Sequence, residues 1–218
     1  MNKIKNFIKQ ENSASYAEFS KKLTPTKYEI VGVRLPVLKK FAKTLTLAEF
    51  DLKQITSIEE ILLYSYCASN LKTEEDQLFA LKTILPYIEN WATCDCTISA
   101  LKRLKSNVSY KFFFSLLSDS RPFYVRVGII GLMRYFITST HLDTILKALH
   151  KINIDHYYVK MAIAWFFAEL CVTDIEKAKL EIGKISDKFT RNKSISKARD
   201  SFRISPADKD FLALLRIK

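Results

Sequence analysis

A chain of 218 residues, 48% hydrophobic and 27% charged, has enough apolar side chain for a packed core and too much for disorder as its main state. Four cysteines are too few for a disulfide-held scaffold, and four glycines with five prolines are too few for the turns of a many-stranded sheet, so the composition leans to all-helical. The net charge of +12 makes a polyanion the natural partner: nucleic acid, an acidic membrane surface or an acidic protein.

Ile4, Phe7 and Ile8 are spaced along one helix face, and no continuous apolar region follows them as a secretory signal requires. No run approaches the roughly 20 uninterrupted apolar residues of a membrane span. Residues 23–36 carry Pro25, Gly32, Pro36 and several β-branched side chains, and read as an extended connector between the first helices and the rest. A helix is predicted over 58–71, with apolar positions at 58, 61, 62, 66 and 68, started by a capping box of Ser57 and Glu60. Thr73 before Glu74, Glu75 and Asp76 marks the next start, and Ser205-Pro206 with Asp208 a late one. Such signals predict roughly a dozen helices joined by short turns.

Trp91 and Asp95 stand four apart and share one helix face. Cys94 and Cys96 lack further ligands at zinc spacing, and His141, His150 and His156 lie far off, so no metal site is expected. The cysteines fit a reducing compartment. Cations cluster twice. Between Cys96 and Phe136 there are seven against Asp119 alone, and between Lys184 and Arg203 seven against Asp187 and Asp200. Such stripes on helices are the footprint of nucleic-acid backbone binding, though some of the side chains belong to a solvated face.

The segment Phe123-Tyr-Val-Arg-Val-Gly-Ile129 resembles Tyr157-Tyr-Val-Lys-Met-Ala-Ile163 at an offset of 34 residues, and each opens a long apolar helix. A helix-pair repeat of that period predicts an all-α, HEAT-like repeat α-solenoid: a right-handed superhelix of antiparallel helix pairs, one domain over 1–218. Its inner helices would form a concave basic surface.

Four local patterns, in order and at matching separations, resemble the DNA alkylation repair family, the HEAT-like-repeat DNA glycosylases of AlkD type. They are Gly32-Val-Arg-Leu-Pro36, Trp91-Ala-Thr-Cys-Asp95, Tyr124-Val-Arg126-Val-Gly-Ile and Tyr158-Val-Lys-Met-Ala-Ile-Ala-Trp165. The resemblance implies a solenoid cupping alkylated double-stranded DNA, and excision of cationic N3- or N7-alkylpurines without metal or cofactor. It implies Asp95 as the catalytic carboxylate, Trp91 and Trp165 as the lesion-contacting aromatic walls, and Arg126 as a phosphate contact, with Lys160 its equivalent one repeat later. Arg191 and Lys193, in the second basic cluster, are further phosphate candidates. A cytoplasmic, nucleoid-associated monomer away from any membrane is the expectation.

The residues themselves leave plainer readings open. Asp95 fits a helix-terminus charge or a solvated face, Trp165 fits core packing, and Arg126 fits a buried ion pair. Glycosidic cleavage builds positive charge on the sugar, which a fixed carboxylate stabilises, and an indole face attracts a cation. One departure from the family concerns residues 21–28. Catalytic members carry there a further helix that probes the minor groove and supplies an aromatic hydroxyl. Here the stretch is short and broken by Pro25, with Tyr28 an approximate substitute, and it looks closest to a shorter paralogue group. Weaker excision is therefore expected. The alternatives are a non-catalytic DNA-binding paralogue of the same fold and a solenoid that takes an acidic peptide.

Overall fold

The computed structural model describes residues 3–218, and among them it contains thirteen α-helices, a few short 3₁₀ turns and no strand. The only extended pairing there is an isolated parallel bridge between Glu29 and Ser57. The chain divides into two compact units, Met1–Ser109 and Tyr110–Lys218. No linker separates them, because the division falls inside a helix, α7 (Asn107–Ser115).

The first unit holds α1 (Lys3–Gln10), α2 (Ala14–Leu23), α3 (Leu35–Ala42), α4 (Ile58–Ala68), α5 (Glu74–Ile84) and α6 (Trp91–Ala100). Its centre is α4, every residue of which is buried and which packs against α1, α3, α5 and α6. The helix predicted over 58–71 thus ends three residues early, at Ala68, and is enclosed on all sides, as a helix with few polar positions must be. Its capping box forms as expected: the Glu60 Oε2 accepts from the Ser57 N–H at 3.0 Å, and the Ser57 hydroxyl accepts from the Glu60 N–H at 3.4 Å. The face read at Ile4, Phe7 and Ile8 packs inward, with Ile4 and Ile8 buried and Phe7 stacked on Phe41 of α3 at 3.6 Å between ring centroids.

The connector has no helix over 24–34 and bends at Lys27 and Tyr28, and a buried carboxylate holds it. Glu59 of α4 accepts from three successive backbone N–H groups, those of Val31 (3.1 Å), Gly32 (2.7 Å) and Val33 (3.4 Å). Burial pushes the Glu59 carboxyl up, and the three donors oppose that rise. Gly32 sits at φ +94°, where a Cβ would run into the Ser13 carbonyl and the Ala17 backbone of α2.

The second unit holds α8 (Pro122–Phe136), α9 (Leu142–Leu149), α10 (Tyr157–Thr173), α11 (Ile175–Lys184), α12 (Lys188–Arg199) and α13 (Pro206–Leu214). Here α10 packs between α8 and α12, so every second helix stacks, and α9 and α11 lie against that row. The two segments that repeat at an offset of 34 begin α8 and α10, which pack on each other. This order of sequence-neighbouring helices makes the fold all-α and solenoid-like. Gly128 and Gly131 let α8 approach Phe113 closely; a Cβ at Gly128 would stand 2.7 Å from the Phe113 carbonyl oxygen. Among the described residues no helix is long and apolar enough to cross a membrane.

Candidate functional site

Trp91 and Asp95 belong to the first unit, one turn apart on α6. Asn90 caps that helix: fully buried, its Oδ1 accepts from the Thr93 N–H at 2.9 Å. Trp91 is the first helical residue, and its indole N–H donates to the backbone carbonyl of Leu23, the last residue of α2, at 2.9 Å. The start of the connector is tied to the same place. Glu89 accepts from the Thr26 hydroxyl (2.8 Å) and the Lys27 N–H (2.7 Å), and pairs with the Lys27 ammonium at 3.0 Å. Burial alone would raise the Glu89 carboxyl, but these donors outweigh it and hold it below its ordinary value. Residues 21–28 therefore lie beside Trp91. They comprise the end of α2 and the non-helical chain that follows it through Pro25.

Asp95 is half-buried and lines a cleft of about 360 Å3 between α3, α4 and α6. Lys39 of α3, Lys43 at its C-terminal cap and Lys102, just beyond α6, line it as well. Tyr66 of α4 forms part of the floor at 5% exposure, and the Lys39 ammonium stands 5.3 Å from its ring centroid. Beside Asp95, burial pushes the Cys96 thiol above its ordinary value, against a hydrogen bond with Tyr66.

The other predicted site residues lie in the second unit. Arg126 of α8 is 5% exposed, and its guanidinium donates to the backbone carbonyl of Tyr158, at the start of α10, at 2.7 Å. Lys160 of α10 sits between two carboxylates, Asp155 at 2.8 Å and Asp187 at 3.0 Å, and hydrogen bonds to them raise its pKa. Asp187 in turn caps α12 by accepting from the Thr190 N–H at 2.7 Å. Arg191 donates to the Gly183 carbonyl at 3.0 Å, and Lys193 is exposed with its ammonium 5.8 Å from the Phe189 ring centroid. Trp165 is half-buried on α10. Its indole N–H reaches Glu169 at 3.3 Å, Arg203 pairs with Glu169 at 3.0 Å, and the Lys197 ammonium stands 6.0 Å over the indole.

A model of the DNA alkylation repair enzyme family matches residues 1–195. The chain belongs to that family. Its role is accordingly DNA alkylation repair, with DNA as partner. No curated protein and no solved structure matches the chain. The match takes in Trp91, Asp95, Arg126, Lys160, Trp165, Arg191 and Lys193, and it ends within α12, leaving α13 outside. Among the described residues no three His, Cys, Asp or Glu side chains converge as a metal site would require.

Two features had no signal in the sequence. One is the Leu23 carbonyl that holds Trp91, since every residue carries a carbonyl. The other is the approach of Lys39 and Lys43 to Asp95, more than fifty positions away in the chain, which the packing of α3 beside α4 and α6 produces.

Proposed function

We propose that this member of the DNA alkylation repair enzyme family is a DNA N-glycosylase that excises cationic N3- or N7-alkylpurines from duplex DNA, without metal or cofactor. The observation that carries the reading is Asp95 on the wall of an open, lysine-lined cleft, one helical turn from an indole locked by its N–H. Cleavage breaks the bond between C1′ and the purine nitrogen, and the bonding pair leaves with the base, which departs neutral. The sugar is left with positive charge at C1′, and a carboxylate fixed beside it is worth most at that moment. Water then adds to C1′ and gives up a proton, for which Asp95 is the acceptor. Because the alkylated base already carries a positive charge, no acid is needed to assist its departure.

Trp91 and Trp165 supply aromatic faces for the cationic nucleotide. Lys193 serves as a phosphate contact. Arg126, Lys160 and Arg191 act toward DNA while also bonding to protein groups, Arg126 by fixing the start of α10 beneath Trp165.

A second reading is a DNA-binding member of the family without excision. The non-helical chain from Thr24 onward, with Pro25 where a helix would continue, favours it. Incubating the purified protein with methylated duplex DNA and measuring free 7-methylguanine separates the two. Release above the spontaneous rate supports the glycosylase. Tight binding with no release supports the second reading.

A further inference from the structure

We propose that Lys39, Lys43 and Lys102 form a clamp beside Asp95 for the backbone phosphates of duplex DNA. The inference rests on DNA being the partner, and it adds a phosphate site within the first unit that is absent from the set first nominated by sequence.

Lys39 of α3 and Lys43, the helical-conformation residue that caps its C-terminus, are four apart and so share one face, and Lys102 lines the same cleft just beyond the end of α6. All three are exposed, and none forms an ion pair with a described residue. The cleft therefore holds three ammonium groups against the single carboxylate of Asp95. Other cations are neutralised within the protein: Lys160 has two aspartates, Arg121 has Asp119 at 2.6 Å, and Lys179 has Glu176 and Asp208. An excess of positive charge in a concave space calls for an anion. Ser99 and Asn70 line the same walls and can donate to its oxygens, Asn70 through the amide hydrogen that does not bond to the Ala42 carbonyl.

The shape of the site favours a polymer over a free ion. Lysines act as point charges and lack the planar fork of arginine. A small anion would be held weakly by such groups. A DNA strand offers a phosphate to each lysine in turn, and every contact releases condensed counterions. Tyr66 keeps the Lys39 ammonium in place over its ring at 5.3 Å, which limits the rotamer entropy lost on docking. Because Asp95 lines the same cleft, a phosphodiester seated there brings the attached sugar to the carboxylate. The clamp would thus set which sugar in the strand faces Asp95.

The test is the salt dependence of binding to an unmodified duplex, read by fluorescence anisotropy for wild type, each single Lys→Gln variant, the triple variant and Lys53→Gln as a control outside the cleft. Each clamp substitution should make the slope of log K against log salt shallower by about 0.9, and the triple variant by roughly 2–3. Lys53→Gln should leave the slope unchanged, and inorganic phosphate should compete poorly. Wild-type slopes in folded single variants would overturn the proposal. So would inorganic phosphate competing as well as duplex, which would make the cleft a free-anion site. Polyglutamate binding as tightly as DNA, with the same loss on substitution, would also overturn it in favour of an acidic protein. The duplex carries no lesion, so a failure to release alkylated base would defeat the excision reading and leave the clamp standing.

Discussion

Single side chains fix what can be asked of this molecule. Trp91→Phe keeps an aromatic face and deletes the bond to the Leu23 carbonyl. It should cost about 1 kcal/mol in urea unfolding and speed amide exchange near the end of α2. No change in either would mean that the bond does not anchor the segment. His156 gives a pH dependence. Burial first, and then the nearby Arg126 charge, lower its pKa below the ordinary 6.5. The unfolded chain therefore takes up the proton at higher pH than the folded one. Stability from the neutral ring is present above the unfolded value and is lost as pH falls through it toward the folded value. His156→Gln should flatten the decline in the urea midpoint as pH falls below the ordinary 6.5, and an unchanged decline would contradict this. The spacing of Trp91 and Asp95 was legible in the sequence because both lie on one helix. One partner of Arg126 was not: sequence reasoning considered a carboxylate or a phosphate, and the structure adds the backbone carbonyl of Tyr158, which no residue type announces.

At the scale of elements, boundaries were read well wherever a side chain closes them. Ser57, Thr73 and Ser205 each accept the predicted N–H bond, from Glu60, Asp76 and Asp208. The connector was legible from Pro25, Gly32 and Pro36, but what holds it was not, since Glu59 lies 27 residues from Gly32 and looks like one more acidic first-turn residue. Gly32→Ala tests that arrangement. The positive φ and the collision with α2 together should cost about 2–4 kcal/mol, seen as a lowered melting temperature. A variant as stable as wild type would show that α2 can move aside. The same substitution should loosen α2 and, through Leu23, Trp91. Aromatic exposure at Trp91 should therefore rise in fluorescence quenching.

At the scale of the molecule, the 34-residue offset between Tyr124 and Tyr158 anticipated the stacking of α8 on α10, because a repeated apolar segment must bury its face against its neighbour. The basic clusters were legible as charge but not as contacts. Several of their members are engaged within the protein, and the lysines that line the cleft with Asp95 include Lys39 of α3 and Lys43 at its cap, outside either cluster. The central claim is that Asp95 is the carboxylate that stabilises the sugar cation in base excision. Single-turnover release of 7-methylguanine from a saturated duplex, compared for wild type and Asp95→Asn, tests it most directly. The variant keeps shape and hydrogen-bonding capacity and removes the charge. The account predicts measurable release by wild type, a rate lower by about 100- to 1000-fold in Asp95→Asn, corresponding to roughly 3–4 kcal/mol of transition-state stabilisation, and nearly equal affinity for the duplex. Equal rates in the two proteins, or no release by a folded, DNA-binding wild type, would contradict it.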